Sequence, residues 1–114
     1  MSTATTMTKP PQWAVLQQAI NEKRPVRAGY HGTERLLCPH MLGWKNGRPK
    51  VLSYQARGTT THTPLPQDPR QRWRSMFVDE IEQPTITDEP WETAQNYSHT
   101  TNAIDDPEIA VDIP

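Results

Sequence analysis

The chain has 114 residues, 33% apolar and including twelve prolines, which bounds it to one small domain with polar, Pro-rich ends. Its single cysteine, Cys38, excludes an intramolecular disulfide and a Cys-rich zinc site and fits a reducing compartment. The net charge of -1 conceals a division: residues 23–74 hold eleven Lys/Arg against two acids, and residues 75–114 hold ten Asp/Glu and no Lys/Arg, an asymmetry that points to an anionic partner or a charged tail.

Residues 1–11 show no periodicity and are expected to be flexible. They lack the apolar core of a signal peptide, and no apolar run approaches the roughly 18 to 20 residues of a membrane span. A soluble, cytoplasmic protein with no membrane contact is expected. From Gln12 the pattern changes. Trp13, Leu16, Ala19 and Ile20 recur at helical spacing. Together with the Pro25 boundary they predict one helix of about ten residues. Alone such a helix is marginal in water, so its apolar stripe must dock on the sheet that follows.

Val26, Ala28 and Tyr30 then alternate on one face of a first strand, with Arg27, Gly29 and His31 on the other. His31-Gly32 supplies a turn. A second strand places Leu36 and Cys38 on one face and Arg35 and Leu37 on the other, and Pro39 is expected to end it or to mark an edge. Met41-Leu42-Gly43-Trp44 reads as a short strand bent at Gly43. Asn46-Gly47 is the strongest hairpin signal in the chain. It leads into a strand with Leu52 and Tyr54 on one face and Val51, Ser53 and Gln55 on the other. Residues 56–71 read as a loop, functional or disordered on length alone. Residues 73–81 alternate again, and residues 85–87 are expected to add a short edge pairing. Trp91 and Tyr97 are placed to pin the tail, and Ile104, Ile109, Val111 and Ile113 are too sparse for a core of their own. The expected fold is mainly β: a small, strongly bent β-barrel of four to five antiparallel strands with one short N-terminal helix. The expected division is a flexible N-terminus (1–11), a helix-plus-barrel domain (12–83) and an acidic, mostly irregular tail (84–114).

The order of these motifs resembles a known family. Ala19-Ile20-Asn21-Glu22-Lys23-Arg24 leads into Val26-Arg27-Ala28-Gly29-Tyr30. Arg35 to Pro39 follows, then Asn46-Gly47-Arg48 before Val51-Leu52-Ser53-Tyr54, and last Arg74 to Ile81, ending Val78-Asp79-Glu80-Ile81. Over about residues 12–82 the series resembles the WYL domain, an Sm-like (Src-homology-type) small barrel of bacterial regulators. It is most similar to small, stand-alone uncharacterised members. The naming tripeptide falls on Lys50-Val51-Leu52, which keeps only the leucine, and Glu80 stands where the family usually has a base. The resemblance implies ligand sensing, with nucleotides or nucleic acid among the ligands, and dimer contacts. No helix-turn-helix precedes the barrel, so DNA reading by this chain alone is not expected.

The candidate site is an Arg-rich face. Arg35, Arg48, Arg57 and Arg74 are expected to contact phosphate, since guanidinium suits bidentate phosphate contacts. Tyr54 or Trp44 is expected to stack on a base. A solvated barrel exterior with its aromatics in the core is the plainer alternative. The acidic tail reads either as a solubilising extension or as an internal mimic that covers the basic face. His31, Cys38, His40 and His62 do not make a zinc pattern, and no metal is expected. Cys38 and His40 share a strand face, but Cys38 lies in an apolar run and reads as a small buried hydrophobe. No catalytic residue and no cofactor are expected. The sequence thus favours a non-catalytic regulatory or ligand-sensing module that binds a nucleotide or a single-stranded nucleic-acid fragment. The alternative is a protein-interaction or homodimerisation module with no small ligand, anchored by an edge strand and by Trp73 or Trp91.

Overall fold

The structure, a computed structural model, describes residues 8–97 and 103–112. The expectations for residues 1–7 and for Ile113 lie outside them. The chain forms α1 (Gln12–Glu22), β1 (Val26–Tyr30), β2 (Thr33–Lys45), β3 (Arg48–Gly58), β4 (Trp73–Phe77), β5 (Glu82–Ile86) and β6 (Asp106–Ala110). A 3-10 turn at Pro69–Gln71 precedes β4, and another at Val78–Glu80 separates β4 from β5. The six strands make one antiparallel sheet in the order β4-β3-β2-β1-β5, with β6 also on β2. The path is open between β4 and β5. Among the described residues no helix is long and apolar enough to cross a membrane.

Local chemistry sets these boundaries. Lys23 ends α1 in the left-handed region, φ 52°, and Arg24 N–H returns to the Ala19 carbonyl at 3.0 Å, which satisfies an otherwise orphaned helix C-terminus before Pro25. Both tight hairpins place two successive residues at positive φ: His31 and Gly32 at 49° and 82°, Asn46 and Gly47 at 53° and 78°. This twist matches the flanking strands.

Pro39 does not end β2, which runs for thirteen residues. β3 pairs along nearly all of one side of it. On the other side β1 pairs up to Leu37 and β6 pairs from Met41. Pro39 sits opposite the gap between those two neighbours, where its missing N–H leaves no ladder bond unmade. The register shifts between Pro39 and Met41, and this bulge lets one strand serve both.

The sheet buries both faces. On the face covered by α1, Trp13, Leu16, Ala19 and Ile20 pack on Val26, Leu37, Leu42, Val51 and Met76. Trp13 stacks on Trp44 with ring centroids 5.3 Å apart. On the other face Leu36, Cys38, Tyr54 and Ala56 meet Ala94, and Met41 and Leu52 meet Ile104.

The tail is therefore not irregular throughout. The expected boundary at residue 83 falls inside β5, and β6 pairs with Met41–Trp44. Ile104 and Val111 are 3% and 1% exposed, each worth about 1.5–3 kcal/mol of apolar burial. β6 carries little alternation because only Ile109 among its five residues turns inward. Its docking depends on Gly43. A Cβ there would fall against the Asp106 carbonyl, 2.6 Å from Ile104 Cγ2 and 2.8 Å from Pro107 Cα. Gly43→Ala is therefore expected to lower unfolding free energy by about 1–3 kcal/mol and to speed cleavage in the C-terminal segment. Denaturant titration with limited proteolysis reads both, and unchanged stability would show that β6 is not fixed on β2.

Candidate anion site

Residues directly opposite one another across an antiparallel pair share a face. Ala28 faces Arg35, Leu37 faces Gln55, Val51 faces Met76, and Ser53 faces Arg74. The face that carries the main core thus continues into a polar patch of Arg35, Gln55, Ser53 and Arg74. Arg35 is 3% exposed, and Ser53 and Gln55 are fully buried. Arg74 is half-buried.

Arg35 is held by neutral groups alone. Its Nε donates to Thr33 Oγ1 at 2.9 Å, and Nη1 to Gln55 Oε1 at 3.4 Å. Its Nη2 donates to the Tyr30 carbonyl at 3.3 Å and to Thr61 Oγ1 at 3.1 Å, and the guanidinium lies over the Tyr30 ring. Gln55 is fixed in turn, its Nε2 donating to the carbonyls of Arg57 and Thr59. Arg74 Nη1 donates to the carbonyls of Gln71 and Trp73, while its Nε is buried without a partner. Ser53 Oγ, opposite it, is also buried without a partner.

Burial first, then the like charge of Arg74, pushes the Arg35 pKa down, and burial does the same to Arg74. Both remain charged, since arginine cannot lose its proton in a protein. Among the described residues no carboxylate pairs with Arg35, Arg72 or Arg74. A buried cation beside a half-buried one, without a counter-charge, is costly. Such a local cost is a physical pointer to a binding site.

The other expected contacts lie elsewhere. Arg48 pairs with Asp79 at 2.9 Å and Glu80 at 2.7 Å and covers the Phe77 ring. Arg57 pairs with Glu89 at 3.4 Å. Tyr54 and Trp44 are 2% and 5% exposed, in different core clusters, and neither presents a free stacking face. Arg35 and Arg74 are thus the two expected residues that the fold brings together. Ser53, Gln55 and Thr61 join them, and polar type alone did not mark these three in the sequence.

The tail explains much of this sorting. Asp88 pairs with Arg24, Glu89 with Arg27 and Arg57, Asp105 with Lys45, and Glu108 with Lys9. Hydrogen bonds from Lys45 and the Asn46 N–H hold the Asp105 carboxyl below the usual range, and bonds from Lys9 and Trp44 do the same for Glu108. An open cleft of about 720 Å³ between β1, β5 and the start of α1 shares no residue with the arginine pair. Glu34, Asp79 and Glu82 on its wall disfavour an anion there.

A second buried polar group is His40. Its Nδ1 lies 2.7 Å from the Cys38 carbonyl, an acceptor only, so Nδ1 carries the proton and Nε2 accepts from Thr93 Oγ1 at 2.8 Å. Trp91 stacks on the ring at 4.4 Å, and Trp73 meets it edge-on at 4.7 Å. Burial pushes the His40 pKa down to about 4 and the Cys38 thiol up to about 12. At neutral pH neither is a poised base or a nucleophile. Among the described residues no group of three or more His, Cys, Asp or Glu is placed to hold a metal ion.

No protein-family model, no curated protein and no solved structure matches the chain.

His40 gives the fold a pH signature. The unfolded chain takes up the histidine proton as pH falls through about 6.5, while the folded chain does so only near 4. The contribution is complete above the unfolded pKa and is lost as pH falls toward the folded one, by about 3 kcal/mol in all. Urea titrations from about pH 7 to about pH 4.5 are expected to show stability falling in that window, and His40→Gln to flatten the slope. An equal slope in the variant would assign the loss to other groups.

Proposed function

We propose that the chain is a non-catalytic regulatory module that senses an anionic ligand, a nucleotide or a short single-stranded nucleic acid, through Arg35 and Arg74. The carrying observation is the buried Arg35 guanidinium beside the half-buried Arg74, both with neutral partners and, among the described residues, no carboxylate. Phosphate supplies the missing charge and accepts bidentate arginine bonds. The WYL-like resemblance implies the same ligand class.

The barrel reading is part of this proposal. β4 and β5 are the two ends of the strand path, yet only the four residues 78–81 separate them. A sheet whose end strands are joined so closely has to curl its ends toward each other, which favours an Sm-like small barrel open on one side. The depressed His40 pKa and the raised Cys38 pKa weigh against acid-base or thiol catalysis. The open outer edges of β4 and β5 favour the rival reading, a docking or dimerisation module. The tryptophans that would anchor it are engaged internally: Trp73 Nε1 bonds Asn96 Oδ1 at 2.8 Å, and Trp91 stacks on His40.

Fluorescence anisotropy with a 3′-labelled single-stranded oligonucleotide bearing a 5′-phosphate tests the reading. Affinity is expected to fall steeply from low to physiological salt. Arg74→Gln is expected to weaken binding about tenfold, the loss of one charge-assisted contact. Arg48→Gln, already neutralised by Asp79 and Glu80, is expected to change it less than about twofold. Salt-insensitive binding, no binding, or equal effects of the two substitutions would overturn the assignment.

A further inference from the structure

We propose that the Arg35–Arg74 site takes a compact terminal phosphate, free or as a monoester, rather than the phosphodiester backbone of a continuous strand, and takes it in exchange for Thr61. This rests on the reading of the same residues as an anion site.

Depth is the first argument. Arg35, Ser53 and Gln55 lie beneath the surface, within the face shared with the core. A phosphodiester continues on both sides and needs an open groove, as single-strand tracking proteins provide. A terminal phosphate can present its oxygens to a recess at the end of the ligand. Charge is the second. A phosphate monoester carries about 1.5 to 2 negative charges at neutral pH, which matches two guanidiniums that have no acid. A phosphodiester or a carboxylate brings one.

The donor geometry is the third argument. Arg35 keeps one good bond, Nε to Thr33 at 2.9 Å, which fixes the side chain. Its outer nitrogens make longer bonds, 3.1 to 3.4 Å, to neutral acceptors. Arg74 Nε and Ser53 Oγ contribute two unpartnered buried groups on the same face. A charged oxygen makes bonds roughly twice as strong as those of a neutral hydroxyl, so phosphate outcompetes Thr61 for Arg35 Nη2.

The loop of residues 59–72 gives the exchange a consequence. The three arginines that have no acid partner among the described residues all donate into it: Arg35 to Thr61 Oγ1, Arg72 to the Pro66 carbonyl at 2.6 Å, and Arg74 to the Gln71 carbonyl at 3.2 Å. Thr61 is exposed, and the adjoining turn is closed by Thr60 and Thr63 themselves. Uptake of phosphate releases the Thr61 end of the loop from the site without unfolding that turn.

Calorimetry with inorganic phosphate, a nucleoside 5′-monophosphate, acetate, and two oligonucleotides differing only in a 5′-phosphate or a 5′-hydroxyl tests this. Phosphate and the monophosphate are expected to compete for one site. The tighter of the two identifies whether the free ion or the monoester is the ligand. The 5′-phosphorylated strand is expected to bind at least about tenfold more tightly than its hydroxyl twin, and acetate more weakly than phosphate. Thr61→Val, at an exposed position that leaves the sheet intact, is expected to tighten phosphate binding about fivefold by removing the competing acceptor. Equal binding of the two strands, both lost in Arg74→Gln, would overturn the end-group assignment and leave the anion reading standing. Acetate as tight as phosphate would overturn the choice of phosphate. Unchanged or weaker phosphate binding in Thr61→Val would overturn the exchange. Absence of binding by every anion would overturn both this inference and the reading beneath it.

Discussion

The double pairing of β2 governs the molecule. One thirteen-residue strand carries β3 on one side and, on the other, β1 at its start and β6 at its end. To serve both it must bend, and the bulge after Pro39 supplies the bend. That bend buries His40, whose neutral ring holds the Cys38 carbonyl and Thr93 together and forms the floor on which Trp91 lies. The first half of β2 presents Arg35 and Leu37 toward the main core, and the second half presents Leu42.

Charge segregation along the sequence becomes charge pairing in space. Acids from residues 79–108 reach Lys9, Arg24, Arg27, Lys45, Arg48 and Arg57. Most of these pairs are exposed, and such pairs are worth about 0–1 kcal/mol each. They do not hold the tail down. Apolar burial of Ala94, Ile104 and Val111, with the β6 ladder, is the larger quantity. What the acids do is select: of the arginines among the described residues, they leave only Arg35, Arg72 and Arg74 without an acid partner.

The helix, both tight hairpins and the alternation of β1 were legible in the sequence, because period, glycine turns and alternation act locally. Val26, Ala28 and Tyr30 point to the core as their spacing requires. Passage of β2 through Pro39 was not legible, since a neighbouring strand's absence opposite one residue is not a local property. β6 was hidden for a similar reason. Asp106, Pro107 and Glu108 are exposed, and the strand is specified by Gly43 and by the flanking Ile104 and Val111 rather than by its own pattern. Of the basic residues, sequence could name the class but not the members. Arg57 is neutralised by Glu89, 32 positions away, and Arg48 by Asp79, 31 positions away. Ser53 and Gln55 sat on the correct strand face from the start, yet a polar residue on a strand does not announce burial.

The face of the sheet that α1 covers is divided. Toward α1 it is apolar, with Leu37, Leu42, Val51 and Met76 under the helix. Toward residues 59–72 it is polar, with Arg35, Gln55, Ser53 and Arg74. The division runs within β3, between Val51 and Ser53, so it cannot be a consequence of distance from the core. Apolar side chains at the polar end would pack under the loop and add stability. The polar end instead holds charge bonded to neutral acceptors alone. A face built for stability would place an acid beside Arg35, as the surface does for Arg48. No acid stands there, and the loop that covers the position is fastened by the same arginines.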